Sequence, residues 1–239
     1  MNMKSVIISS LGLLVAGDAF AATTQITDYN QGWYNKNDPT QESVGPTANY
    51  IVGKQVIGTK SHYDDFFSFD LSGIASGSIT AASVEISGGQ NVFKSGPNGV
   101  FKLYASDVDP ATDRSGFLKS LKPDDLIGEV SVTDGGTIGS FDPTLSDVIV
   151  TFNATGLADL NADAGDDFYI GGTFTGAKAY NLAGLKFENL FNGSGNVAGA
   201  ELSVTTVPEP STWVMLLAGF VALGAAGYGG RRHRASIAD

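Results

Sequence analysis

The segment His62-Tyr63-Asp64-Asp65 places an imidazole directly beside carboxylates. Such a neighbourhood can serve general acid–base chemistry, but only with a nucleophile or a second proton carrier in reach. A nucleophile on a defined turn is not signalled, because the sequence contains no Gly-x-Ser-x-Gly. The other histidine, His233, lies in a basic C-terminal stretch, so a multi-histidine zinc site has no ligands. His62 reads most simply as a polar residue at a strand start. A carboxylate-pair glycosidase needs only two acids close in space, so the many acids alone do not decide that case. The stretch Asp159-x-Asn161-x-Asp163, followed by Asp166 and Asp167, offers hard oxygen ligands at alternate positions and raises calcium. It departs from an EF-hand loop, with Ala164 at the sixth position and Ile170 at the twelfth. Asp107, Asp109 and Asp113 form a looser second group. The same residue types also cap helices and close turns, and both roles are open here. No other cofactor is expected.

Tyr29, Trp33 and Tyr34 lie among Asn30, Gln31, Asn35, Asn37 and Asp38. Flat aromatic faces beside amides suit sugar rings, whose C–H faces stack while their hydroxyls hydrogen-bond. These three are the candidate glycan contacts, and polysaccharide is the ligand class they suggest. Alternatively, they fix an N-terminal segment onto the body. Nucleotide chemistry has no support, since neither a phosphate-binding Gly-x-x-x-x-Gly-Lys-Ser/Thr loop nor a strand-linked Gly-x-Gly-x-x-Gly is present. From Ala22 to Pro210 there are ten Lys plus Arg against twenty-three Asp plus Glu, a formal charge of about −13. Nucleic acid is therefore not an expected partner, because it requires a basic patch.

The elements that would position these residues are strands. Phe67, Phe69 and Leu71 alternate with Ser68 and Asp70, and Ala82, Val84 and Ile86 alternate with Ser83, Glu85 and Ser87. Similar period-two stripes run through Phe101–Leu103, Val130–Val132, Val148–Phe152 and Ala200–Val204. Adding Tyr50–Ile57 and Phe168–Phe174 gives about eight strands. Gly/Asn/Asp clusters separate them, as at Gly88-Gly89-Gln90-Asn91 and Asp134-Gly135-Gly136. One short helix is expected at Thr155–Asn161, where Leu157 and Leu160 share a face. The expected fold is an all-β antiparallel sandwich or jelly roll with that single helix. The chain has no cysteine, so it is stabilised without disulfides.

Both ends carry targeting patterns. Residues 1–21 read as a signal peptide: Lys4 is the basic start, Val6–Ala16 the apolar region and Ala19-Phe20-Ala21 the cleavage site. At the other end, the twenty residues from Ser211 to Gly230 carry no charge. As a helix they are long enough to span a hydrocarbon core of about 30 Å. Arg231, Arg232 and Arg234 follow, placing the C-terminus on the cytoplasmic side by the positive-inside rule. Ahead of the run, Pro208-Glu209-Pro210 is held extended and accessible by its prolines. The expected division is a body over 22–206, a sorting segment over 207–234 containing the membrane helix (about 211–230), and a tail over 235–239.

The three-part tail resembles the PEP-CTERM signal by which Gram-negative bacteria deliver exported proteins to an exosortase. The resemblance implies that an exosortase-type membrane peptidase cuts near Pro208-Glu209-Pro210. The protein would be held at the inner membrane before that step and passed to the cell surface or extracellular matrix afterwards. The phrases Asn49–Gly53, Phe66–Ser72 and Thr155–Asn161 resemble β-sandwich bodies found ahead of such tails. Phe66–Ser72 with Ile79–Ile86 is also similar to carbohydrate-binding-like jelly rolls. Together these patterns predict a non-enzymatic exported protein, with a glycan-binding module as the alternative and a polysaccharide-active enzyme behind it.

Overall fold

Alternating apolar residues build two facing antiparallel sheets, and one long strand carries apolar groups on both of its faces. The computed structural model describes residues 21–38, 40–57, 59–87, 99–132, 147–176, 179–180, 186–190, 199–207 and 216–224. Thirteen strands lie among them. They are β1 (Ala22–Thr27), β2 (Asn30–Asn35), β3 (Glu42–Gly45), β4 (Val52–Ile57), β5 (Thr59–Asp70), β6 (Ile79–Ile86) and β7 (Gly99–Ser106). Then follow β8 (Leu126–Val132), β9 (Val148–Thr151), β10 (Asp167–Gly176), β11 (Ala179–Tyr180), β12 (Lys186–Leu190) and β13 (Ala200–Thr206). The smaller sheet has four strands in the order β1-β13-β6-β9. The larger has nine: β11-β12-β4-β5-β10-β7-β8, with β2 also on β5 and β3 on β2.

Period-two patterning accounts for the core. Phe67, Phe69 and Leu71 of the β5 region, Phe101 and Leu103 of β7 and Phe168 and Ile170 of β10 meet Val84, Ile86, Val150, Leu202 and Val204 of the other sheet, all of them buried. Each such side chain contributes about 1.5–3 kcal/mol through removal from water. The expected β-sandwich body is consistent with this arrangement. Five strands, β1–β3, β11 and β12, were not among those expected from the alternation. In β1 the reason is plain: its residues Ala22–Gln25 are exposed, so no buried stripe marks it.

A single helix was also too few. The body contains α1 (Arg114–Ser120) and α2 (Ala154–Ala162), besides a turn of 3₁₀ helix at Pro123–Asp125. The α2 helix corresponds to the expected one. The α1 helix has only seven residues and one fully buried side chain, Phe117, too little to show a period. It packs on the outer face of the larger sheet, where Phe117 joins Tyr34 and Phe66 in a second cluster beside Val108, Leu118 and Leu121. Gly171 in β10 permits the approach: a Cβ there would lie 2.6 Å from Leu121 and 2.7 Å from Phe117.

The register places both ends of the body together. Thr206 pairs with Ala22 on one side and Ile79 on the other, and the Val207 N–H donates to Ser78 O at 2.9 Å. At the opposite end lie Ile86, Val148 and Ala200 of the smaller sheet and Gly99, Val132 and Gly176 of the larger.

Candidate functional site

The body closes where the tail starts. β13 is an interior strand of its sheet, with Leu202 and Val204 buried, and its last residue is Thr206. Further along, residues 216–224 form a helix without a charged side chain. Leu216, Leu217, Phe220, Val221 and Leu223 on it are 50–71% exposed and, among the described residues, belong to neither core cluster. A helix apolar on all sides finds its free-energy minimum inside a core or a bilayer. Its nine described residues span only about 14 Å, and among the described residues no helix is long and apolar enough to cross a membrane. Pro208, Glu209, Pro210, Arg231, Arg232 and Arg234 lie outside the described residues, as do residues 1–20 of the expected signal peptide.

The aromatic candidates do not form one platform. Trp33 and Tyr34 are neighbours in β2 and therefore project to opposite faces. Trp33 is half-buried, packing edge-on against Tyr63 at 5.1 Å with its indole N–H 3.4 Å from Asn49 Oδ1. Tyr34 must be corrected from ligand contact to core residue, because it is 1% exposed. Its ring stacks on Phe66 at 5.1 Å, its hydroxyl donates to Pro110 O, and the Arg114 guanidinium stands 5.0 Å above it. Burial raises its hydroxyl to about 12. Tyr29 alone is open, at 41% exposure. Tyr169, whose hydroxyl lies 3.3 Å from Asp167 Oδ2, stands beside it; burial first and the neighbouring Tyr169 second push the Tyr29 hydroxyl up. Tyr29 precedes β2 and its N–H donates to Ser68 O at 2.9 Å, and Ser68 is the β5 residue that β10 pairs with Tyr169.

The calcium candidates are tied into the scaffold. Asp159 and Asn161 lie on α2, where residues two apart face different ways, and Asp163 is its C-cap. The Asn161 amide donates to Ile79 O at 2.9 Å and Leu157 O at 2.8 Å, while its Oδ1 accepts from Ile79 N at 3.0 Å. Burial raises Asp159 and Asp163, and neighbouring acids raise them further. In the second group, Asp113 caps α1 by accepting from Gly116 N at 2.9 Å, and Asp109 accepts from Ala111 N at 2.8 Å. Among the described residues no three metal-type side chains converge.

The chemically unusual groups are ones the motif reading passed over. Asp64 and Asp65 are both fully buried in β5, facing opposite ways. Asp64 Oδ2 lies 2.5 Å from Lys36 Nζ, and Oδ1 lies 3.8 Å from His62 Nε2. Burial raises Asp64 to about 6 despite the lysine, and burial first and then Lys36 and Lys54 lower His62 to about 4. Asp65 carries two buried oxygens with no well-formed hydrogen bond, although the amides of Gly172 and Asp65 itself bear on it. Burial, then the neighbouring Asp64, raises its carboxyl well above the ordinary range. Asp28, between β1 and β2, accepts from Ala200 N at 2.7 Å and is raised to about 6 by burial. Phase would have revealed the pair. Asp65 falls in step with Phe67 and Phe69, and Asp64 with Phe66, so the strand pattern extended upstream points both acids at cores.

The described residues thus form a mainly β body of two antiparallel sheets, with an apolar helix over 216–224 after it. The PEP-CTERM protein-sorting motif matches residues 206–234. That match indicates exosortase-dependent sorting of a secreted protein, attached at the membrane before an exosortase-type membrane protein processes it. No curated protein matches the chain.

Proposed function

We propose that the chain is a non-enzymatic surface or matrix protein, whose body is passenger to its C-terminal sorting segment and works without a cofactor. One observation carries this reading. The last body strand ends at Thr206, where the matched segment begins, so the body is structurally complete without the tail. The apolar helix over 216–224, unsupported by the body, is then the visible part of an inner-membrane span reaching about 211–230. Because Ala22 and Thr206 are paired, the end bearing both termini faces the membrane, and the end bearing Ile86, Val148 and Ala200 faces away. Removal of a signal peptide after Ala21 precedes sorting in this scheme, and Pro208-Glu209-Pro210 is the peptide presented for cleavage.

Replacing Glu209 by alanine in the full chain and fractionating cells tests the proposal. The variant should accumulate in the inner membrane with its tail uncut. A variant that leaves the membrane as efficiently as wild type refutes it.

A second reading, glycan binding, is favoured by one observation: exposed Tyr29 lies beside Tyr169 and Asp167 on a single face. An aromatic ring flanked by hydroxyl and carboxylate fits a polysaccharide contact. Loss of retention on the host's exopolysaccharide in Tyr29→Ala supports it, and unchanged retention or none in wild type refutes it.

A further inference from the structure

We propose that Lys36 and Asp64 form an intramolecular amide, a covalent cross-link between the end of β2 and the middle of β5. Four features of the site lead there. First, the amine already touches the carboxylate. Lys36 Nζ is 2.5 Å from Asp64 Oδ2. The carboxyl carbon, one C–O bond further, therefore falls near the roughly 3–3.5 Å separation of near-attack geometries. Second, the lysine is anchored at its backbone, where Lys36 N–H donates to His62 O at 2.7 Å. The pair is thus the diagonal neighbour of the Tyr34–Asp64 register position.

Third, the carboxylate is badly placed as an ion. Asp64 is fully buried beside the Tyr34–Phe66–Phe117 cluster, and no hydrogen-bond donor besides the Lys36 ammonium meets its oxygens among the described residues. A buried ion pair bears a desolvation cost that a neutral amide does not. Burial already biases the Asp64 carboxyl toward its neutral, electrophilic form. Fourth, among the described residues no second cation pairs with it. His62 is held neutral, and Lys54, which pairs across from His62, is not in contact with Asp64.

The chemistry balances without an oxidant or co-reactant. A proton passes from the Lys36 ammonium to the Asp64 carboxylate. The freed Nζ lone pair attacks the carboxyl carbon, the C–N bond forms, and the C–O bond breaks. A second Nζ proton leaves with that oxygen as water, so ammonium plus carboxylate gives one secondary amide and one water. In bulk water this condensation is unfavourable. Fixed juxtaposition, with effective molarities of about 10⁵–10⁸ M, and release from the buried ionic state oppose that penalty. The chain contains no cysteine, so an amide is a staple that remains open to it in an oxidising compartment.

The test is peptide mass spectrometry on the purified full chain, because peptide masses do not depend on where terminal segments are removed. After tryptic digestion, the peptide containing Lys36 should appear joined to the one containing Asp64. The joined mass should be lower than the sum of the two by one water, about 18 Da. Lys36→Arg should abolish the joined species. Asp64→Asn should yield the same joined mass as wild type, since its condensation expels ammonia and leaves an identical amide. Separate, unmodified peptides from folded wild-type protein, before and after prolonged incubation at pH 6 and pH 8, overturn the proposal. That result does not depend on whether either variant folds.

Discussion

Asp65→Asn should stabilise the body at neutral pH and have almost no effect near pH 4. Asp65 is fully buried, and burial followed by the neighbouring Asp64 raises its carboxyl well above the ordinary 3.8. A group whose folded pKa is raised holds its proton in the folded state after the unfolded chain has released it. Its folding contribution is therefore undiminished below about pH 4 and falls as pH climbs above that value. At pH 7 the loss is limited by the distance from 3.8 to 7, about three units, or on the order of 4 kcal/mol at about 1.4 kcal/mol per unit. Asparagine has nearly the same shape and no proton to release, so the variant should recover most of that loss.

Urea midpoints from pH 4.5 to 8, converted through a common m-value, measure the effect. Wild type should weaken as pH rises, most cleanly above about pH 6.5 where His62 no longer opposes the trend, and the variant should show a shallower slope. A residual slope below about pH 6 should persist in the variant. Asp28 is also raised, to about 6, and being partly screened by solvent it contributes about 1–3 kcal/mol over that interval. His62, lowered to about 4 chiefly by burial, opposes this between about pH 4 and 6.5, whereas Asp38 and Asp70 oppose it only at lower pH. Hydrogen bonds from Thr40 and Ser72 hold them below 3.8, so their contribution is present above that value and lost as pH falls through their folded values. If wild type and Asp65→Asn keep parallel profiles, or if wild type gains stability from pH 5 to pH 8, the buried carboxyl is not the group described here.

Gly172→Ala should cost about 1–3 kcal/mol in the same urea measurement, because its Cβ would lie 2.0 Å from Asp65 Oδ1 and 2.6 Å from the Phe101 ring. The share due to Asp65 should disappear in an Asp65→Ala background while the share due to the Phe101 ring persists, a coupling that a double-mutant cycle reads directly. Asn161→Ala should cost about 2–3 kcal/mol, since three hydrogen bonds fastening α2 to β6 and to its own preceding turn are lost. Faster hydrogen exchange at Ile79 should accompany it.

Strands with one buried face were legible because their signal is strictly local. Phe67, Phe69 and Leu71, or Val84 and Ile86, declare a period of two within a few residues. β1 was not legible: it pairs only with β13, as an edge strand with four exposed residues in succession. α1 was hidden for another reason, since one buried residue, Phe117, fixes it to a surface that exists only once β2, β5 and β10 are aligned. The aromatic cluster misled through Tyr34, because adjacency in sequence suggested a shared surface while strand geometry separates neighbours. The buried acids were readable from phase, but charge is ordinarily evidence for solvent, and that expectation prevailed over the pattern.

The order of events in export follows from where β13 sits. The smaller sheet cannot close until residues 200–206 have joined both β1, at the other extreme of the body, and β6. Pairings between the two ends of a chain carry the largest loop-closure cost and form late. The last body strand must therefore clear the membrane before folding finishes, and by then the apolar segment behind it has entered the translocation path. With one residue, Val207, between Thr206 and Pro208, the proposed scheme has the body fold and the tail insert side by side. Such proximity favours a peptide with prolines at this point, because a proline disfavours both a helix interior and a central strand. On this account the proline-flanked glutamate also serves as a structural boundary between a body that must fold and a helix that must insert.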